Sequence, residues 1–195
     1  FFQESSDSGN NYIQFKDLVL RPFIYGNLAM DNKDAIGIDP ISGFKNLDSA
    51  VIDASSIIYM KKAGFMDIAA KNIHLHVPRI IIVEAKYADF SFTEHKLEGF
   101  NESSADMQCV LLAHKLMVPV ISEDKKVLRQ TSLRNLPYYN SLMILNFLLF
   151  KKIITPEKFD KLLSGLLLVA RYSPFVLSYG ESVRKNILSK NSEAA

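Results

Sequence analysis

Apolar and polar residues fall in alternating blocks from about Ser49 onward, and each block predicts an element. SAVIDASS opens with a short apolar run bounded by polar residues, the pattern of a buried strand, and Asp53 closes it. Ser55 is the candidate N-cap of a helix through IIYMKKAG, and Gly64 ends that helix. Phe65 to Lys71 predicts a second helix, and HLHVP a short strand stopped at Pro78. Arg79 to Ala88 reads as a helix whose Ile-rich start is equally strand-like by propensity, and FSFTEHKLEGFN reads as a loop. Glu102 to Val118 predicts a long helix with Met107, Val110, Leu111, Leu116 and Met117 on one broad apolar face. PVIS predicts a strand, Glu123 to Asn135 a helix, LPYYN a strand and Ser141 to Phe150 a helix. Thr155-Pro156-Glu157 marks a further helix start, with Thr as cap and Pro in the first turn, and Ser173-Pro174 opens a last helix.

The predicted order is β-α-α-β-α-α-β-α-β-α-α-α. Strands alternating with helices imply a central, mostly parallel sheet covered on both faces, an α/β/α sandwich, followed by C-terminal helices. Residues 1–47 stand apart as an N-terminal arm or extension: ESSDSGNN is loop-like, YIQFKDLVL suits a strand or a docked arm, and DNKDAIGIDPISGFKN returns to turn chemistry. The stretch 48–172 reads as one α/β domain and 173–195 as a C-terminal helical extension.

Composition adds bounds. The 195 residues are 48% hydrophobic and 23% charged, which suits a globular domain with a real core. The formal net charge of +2 is too small for a histone-like nucleic-acid binder. The one cysteine, Cys109, precludes an internal disulfide and sits in an apolar helical run, as a packed core thiol would. A reducing cytoplasm is the expected location. The polar start FFQESSDSGNN does not resemble a signal peptide, and the longest apolar runs, such as LMILNFLLF, are too short to span a bilayer. The chain begins at Phe1 rather than Met, so its natural start is expected to be missing or processed.

In a parallel sheet, ligands sit outside the carboxyl ends of the strands, and that rule selects the acidic residues of interest. Asp53 ends the first strand, Asp124 follows PVIS by one residue, and Asp106 lies in the first turn after the Ser103-Ser104 cap. Glu84 lies in the apolar stretch IIIVEAKY, where a carboxylate is costly without a partner. Carboxylates about 4 Å apart repel by roughly 4 kcal/mol per pair at intermediate dielectric, a cost that a divalent cation removes. Hard oxygen ligands without Cys or His select Mg²⁺ or Mn²⁺, and such a site suits phosphodiester hydrolysis. Asp53 and Asp106 could equally stabilise helix N-termini, while Glu123, Glu102 and Asp67 read as solvated surface charges.

These segments resemble a known family. AVIDASSIIYMKKAGFMDIA is similar to the opening of PIN domains: a strand ending in Asp, a small hydroxyl residue two later, then an apolar helix. HVPRIIIVEAKY resembles their second segment, with a Glu after an apolar approach. SSADMQCVLLAHKLMVPVISEDKKVLRQ resembles the third and fourth, an Asp opening a helix and then a strand with Ser-x-Asp. LPYYNSLMILNFLLFKKIITPEKF resembles the strand and helix that follow. The resemblance runs from Asp48 to about Tyr172, making 48–172 a PIN-like nuclease domain; residues 1–47 and the last helix have no assigned counterpart. It implies a metal-dependent ribonuclease in which Asp53, Glu84, Asp106 and Asp124 are catalytic and bind Mg²⁺ or Mn²⁺, with Ser55 and, more weakly, Ser122 beside the metal. RNA is the implied substrate, a homodimer and an antitoxin protein are the implied partners, and no membrane is involved. Family toxins are often shorter, so the N-terminal segment weighs against the toxin role more than against the nuclease role.

Lys125, Lys126, Arg129 and Arg134 follow Asp124, and Lys61, Lys62, Lys71 and Arg79 form a second basic set. Either set could hold an RNA backbone or be a solvated helix face. His74 and His76 on one strand suggest a zinc pair only weakly, and His114 suits a surface or packing role. Tyr138 and Tyr139 suit base stacking or simply a sheet, and Leu162 to Val169 a buried helix or a subunit contact. The alternative function is a non-catalytic nucleic-acid-binding or regulatory protein on the same fold. A different acidic-site phosphohydrolase is disfavoured, because the first strand lacks an Asp-x-Asp loop.

Overall fold

The computed structural model describes residues 41–97 and 104–193. The expectations for residues 1–40, and for a helix start at Glu102 with its Ser103, lie outside them. Five strands, β1 (Ser49–Ile52), β2 (His74–Pro78), β3 (Thr93–His95), β4 (Val120–Ile121) and β5 (Tyr138–Tyr139), form one sheet in the order β3-β2-β1-β4-β5. Every pairing is parallel. Eight α-helices are present among the described residues: α1 (Ala54–Ala63), α2 (Met66–Asn72), α3 (Arg79–Ala85), α4 (Ala105–Leu116), α5 (Lys125–Ser132), α6 (Ser141–Phe150), α7 (Pro156–Leu167) and α8 (Pro174–Glu193). The architecture is the expected α/β sandwich.

The strand order follows from the connections. From β1 the chain steps outward to β2 and β3, returns to the other side of β1 as β4, and steps outward again to β5. Parallel crossovers are right-handed, so opposite stepping directions put the connecting helices on opposite faces. Accordingly α4 packs with α5 and against β1, β2 and β4, while α1, α3, α6, α7 and α8 form a second layer. The sequence reverses direction between β1 and β4, where Ile52 stands opposite Ile121. β1 is covered on both sides, and Ala50, Val51 and Ile52 are fully buried.

Several local expectations hold for the stated reasons. Gly64 ends α1 with φ +83°, the left-handed conformation that glycine takes without strain. Thr155 caps α7, its Oγ1 accepting the Lys158 N–H at 3.3 Å, with Pro156 opening the helix. Ser104 caps α4 by accepting the Met107 N–H.

Other expectations are corrected. Thr93–His95 is a strand within the stretch read as a loop, paired in parallel with β2. Asp53, not Ser55, caps α1. The α4 helix stops at Leu116; Met117 turns left-handed with φ 55° and is 70% exposed, and the buried face is Gln108, Cys109, Val110, Leu112 and Ala113. α3 ends at Ala85 because Lys86 is left-handed. Apart from these corrections, the described part of the expected N-terminal arm, residues 41–47, contributes to the core. A 3₁₀ turn at Ser42–Asn46 delivers Ile41, Phe44 and Leu47 to it, and the Phe44 ring lies 5.8–6.0 Å from those of Tyr139, Phe147 and Phe150. α8 is equally integral: Val183 and Ile187 are buried, and a Cβ at Gly180 would collide with Leu142 of α6. In α7, Leu162 and Leu166 are buried, whereas Leu168 just beyond it is 88% exposed. Among the described residues no helix is long and apolar enough to cross a membrane.

Candidate functional site

The switch between β1 and β4 aims two chain segments at one rim. Asp53 directly follows β1, and Ser122-Glu123-Asp124 directly follows β4. Because Ile52 and Ile121 are in register, these segments lie side by side at the carboxyl end of the sheet. A cleft of about 280 Å³ opens there, and all four acids singled out from the sequence, Asp53, Glu84, Asp106 and Asp124, line it. Glu123 is a fifth, together with Ser55, Tyr59 and Ile81, and among the described residues no lysine or arginine is in the lining.

Asp53 is the most constrained of the five. Its Oδ1 accepts the Ser56 N–H at 2.8 Å, as an N-cap should, and its Oδ2 accepts the hydroxyls of Ser55, at 2.8 Å, and Ser122. Burial pushes its pKa up from the usual carboxylate value, and these hydrogen bonds oppose the rise. Ser122, wholly buried, in turn accepts the Asp124 N–H at 3.0 Å, so one hydroxyl ties the two segments together. Both expected hydroxyl residues therefore touch Asp53 directly.

Asp124 caps α5, its Oδ1 accepting the Lys126 N–H at 2.6 Å. Asp106 lies in the first turn of α4, and Glu84 on the exposed side of α3 beside Val83, itself 73% exposed. Glu84 thus avoids the desolvation cost that its apolar neighbours suggested: the stretch is helical, and its helix turns Glu84 toward solvent and the cleft. Asp124, Asp106 and Glu84 are exposed, and Asp124 spends its Oδ1 on the α5 cap.

Glu123, read as a surface charge, is the residue that sequence reasoning missed. It is half-buried, and its Oε1 accepts the Ser141 N–H at 2.7 Å at the start of α6. Burial raises its pKa, hydrogen bonds from Ser141 oppose this, and the Asp53 charge raises it further. The available signal was its place one residue from Asp124 in the turn after a strand. The Tyr172 hydroxyl is buried near Glu123 without a hydrogen bond of acceptable geometry, and burial followed by the Glu123 charge pushes its pKa up.

The buried Cys109 thiol registers the same cluster from below the cleft. Its pKa is raised well above the ordinary value, first by burial and then by Asp53, Asp106 and Glu84. Packed against Ile52, Cys109 is fully buried, as expected of a core thiol.

A lining with five carboxylates and, among the described residues, no cationic side chain fits a hard divalent cation such as Mg²⁺ or Mn²⁺ rather than a soft one. Among the described residues, no three His, Cys, Asp or Glu side chains are drawn together closely enough to hold an ion as they stand. Asp53 is fixed, so closing a shell falls to the exposed Glu84, Asp106 and Asp124.

Of the basic residues, Lys125, Lys126 and Arg129 are exposed on α5. Lys61 pairs with Asp89 at 2.9 Å and Asp67 at 3.3 Å, and Arg79 with Glu94 at 3.7 Å, so this second set is partly engaged within the protein. His74 and His76 share a face with His95 of β3; His76 Nδ1 lies 2.9 Å from His95 Nε2 and His76 Nε2 lies 2.9 Å from Ser49 Oγ. None of these three histidines lines the acidic cleft. Tyr139 is buried against Phe44 and Tyr138 is half-buried. The chain matches no protein-family model and no curated protein.

Proposed function

We propose that the cleft at the β1/β4 switch is the active site of a PIN-type, Mg²⁺- or Mn²⁺-dependent ribonuclease. The observation that carries this reading is the meeting of Asp53, Glu84, Asp106 and Asp124, distant in sequence, around one cleft that no cationic side chain among the described residues lines. When bound, a divalent cation would supply a water of lowered pKa and neutralise charge on the phosphate being cleaved. Asp53, held rigidly by Ser55, Ser56 and Ser122, would give the shell its fixed point, and Asp124 would approach from the adjacent strand end. Glu84 and Asp106, on exposed helix positions, would complete the shell as RNA binds. Lys125, Lys126 and Arg129, exposed along α5, would contact the RNA backbone, where phosphate contacts supply most of the sequence-independent affinity.

Asp53 and Asp124 also cap helices, and that fold-keeping role alone would suit a non-catalytic nucleic-acid-binding or regulatory protein. Asn is nearly as good a cap as Asp, so Asp124→Asn keeps the cap while removing the charge. The purified protein should cleave RNA in Mn²⁺ and not in EDTA, and Asp53→Asn and Asp124→Asn should each abolish cleavage while retaining a folded circular dichroism spectrum. Cleavage by either variant at the wild-type rate would refute the proposal.

A further inference from the structure

A second cavity, about 430 Å³, opens directly beside the acidic cleft and shares Tyr59 and Glu123 with it. Its other walls come largely from the C-terminal part of the chain, for which no role has been assigned. Tyr138 of β5 lines it together with Tyr172, Phe175 and Tyr179, and so do Lys125 and Arg171. Phe175 is 55% exposed, an apolar ring left in water at the mouth of a cavity. Lys125 and Arg171 are exposed and form no ion pair with the described residues.

We infer that this cavity is a nucleobase subsite, which takes an unpaired base of the RNA strand whose neighbouring phosphate occupies the acidic cleft. The inference rests on reading the cleft as the phosphodiester site. Three physical points support it. A nucleic-acid strand alternates phosphates with bases, so a phosphate in the cleft puts an adjacent base within reach of what adjoins the cleft. What adjoins it is an aromatic chamber whose volume lies within the range of small-molecule sites. Aromatic faces stack on bases of any identity, and the exposed cations Lys125 and Arg171 suit the flanking phosphates. In a duplex the bases are already stacked and paired, so the chamber would go unfilled. The chamber therefore takes a base only from a single strand, or from a loop or end with a base free to swing out.

Binding and cleavage are read separately so that the two proposals can fail independently. The probe is a fluorescein-labelled ten-residue oligouridylate, followed by anisotropy in Ca²⁺ with the full chain and checked afterwards for intactness. A blunt RNA duplex with the same label is the comparison. Wild type should bind the single strand more tightly than the duplex. Phe175→Ala should weaken single-strand binding about five- to 150-fold, the range expected for losing one base stack, and leave duplex binding unchanged. Phe175→Tyr should restore it, and Leu168→Ala, an exposed apolar position outside the cavity, should have no effect. Equal binding by Phe175→Ala and wild type, equal affinity for duplex and single strand, or no binding of the oligouridylate would each overturn the subsite. Selective binding without any Mn²⁺-dependent cleavage would keep the subsite and remove the nuclease. Cleavage with indifferent Phe175→Ala binding would do the reverse.

Discussion

Replacing Ser122 by Ala probes the electrostatics of the cleft at its most buried point. The hydroxyl donates to Asp53 Oδ2 and accepts the Asp124 N–H. A hydrogen bond to a charged group contributes about 1.5–3 kcal/mol and one to a neutral group about 0.5–1.5 kcal/mol. The Asp124 N–H is only part-buried, so water can replace its lost acceptor. The loss should therefore be about 2 kcal/mol when Asp53 is ionised, which for a domain of this size corresponds to a fall in Tm of roughly 4–8 °C. The sign of the pH dependence follows from linkage. Asp53 has a folded pKa raised above the unfolded value, so its ionisation lowers stability as pH rises from 3.8 through the folded value. Ser122 opposes that rise, and without it the folded value climbs further. The deficit of Ser122→Ala should thus be larger at about pH 8, where more of Asp53 is ionised, than at about pH 4, where more of it is protonated and loses only a neutral hydrogen bond. Urea unfolding in EDTA at the two pH values measures this. A deficit that does not change with pH, or one below about 0.5 kcal/mol at the higher pH, would show that Ser122 does not hold a buried carboxylate.

Two further outcomes follow from the packing and from the histidines. Phe44→Ala removes a fully buried ring from among Tyr139, Phe147 and Phe150 and should cost about 3–5 kcal/mol in urea unfolding; a cost below 1 kcal/mol, under the range for filling such a site, would make residues 41–47 a dispensable appendage. Burial first, and then its neighbours His74 and His95, lower the His76 pKa; burial first, and then Lys115 and His74, lower that of His95. Folding therefore favours the neutral rings, and their contribution is complete above about 6.5 and lost as pH falls toward the depressed folded values. The Tm should drop between roughly pH 7 and pH 5, and His76→Gln should flatten that slope; an unchanged slope in the variant would contradict the assignment.

The fold was legible where local chemistry decides structure. Gly64, Thr155-Pro156 and Ser104 mark helix ends through backbone conformation and caps, which depend on a few neighbouring residues. The apolar run before Asp53 marked the central strand, because a strand buried on both faces must be apolar throughout. Where long-range pairing decides, the pattern was silent. Thr93–His95 has no apolar alternation and is a strand because β2 offers an open edge beside it. Ile41, Phe44 and Leu47 recur every three residues, a helical spacing that could have placed them in the core despite the turn residues around them. In the site, the four acids were legible from their positions after strands and at helix starts. Glu123 was not, since whether a charge after a strand faces solvent or a cleft depends on what β5 and α6 place opposite it, here the Ser141 N–H. The aromatic cavity was hidden for the same reason: its walls come from β5, α5 and α8, far apart along the chain.

The central claim is that Asp53 anchors a divalent cation in this cleft. Titrating Mn²⁺ against the Tm of the wild-type chain and of Asp53→Asn tests it without any substrate, because an ion that binds only the folded state stabilises by mass action. The Tm of the wild type should climb with Mn²⁺, at about 2.7 kcal/mol of stabilisation when the ion is a hundredfold above its Kd, and a folded Asp53→Asn should give a flat response. Equal Mn²⁺ responses in the two proteins, or no response in the wild type, would contradict it.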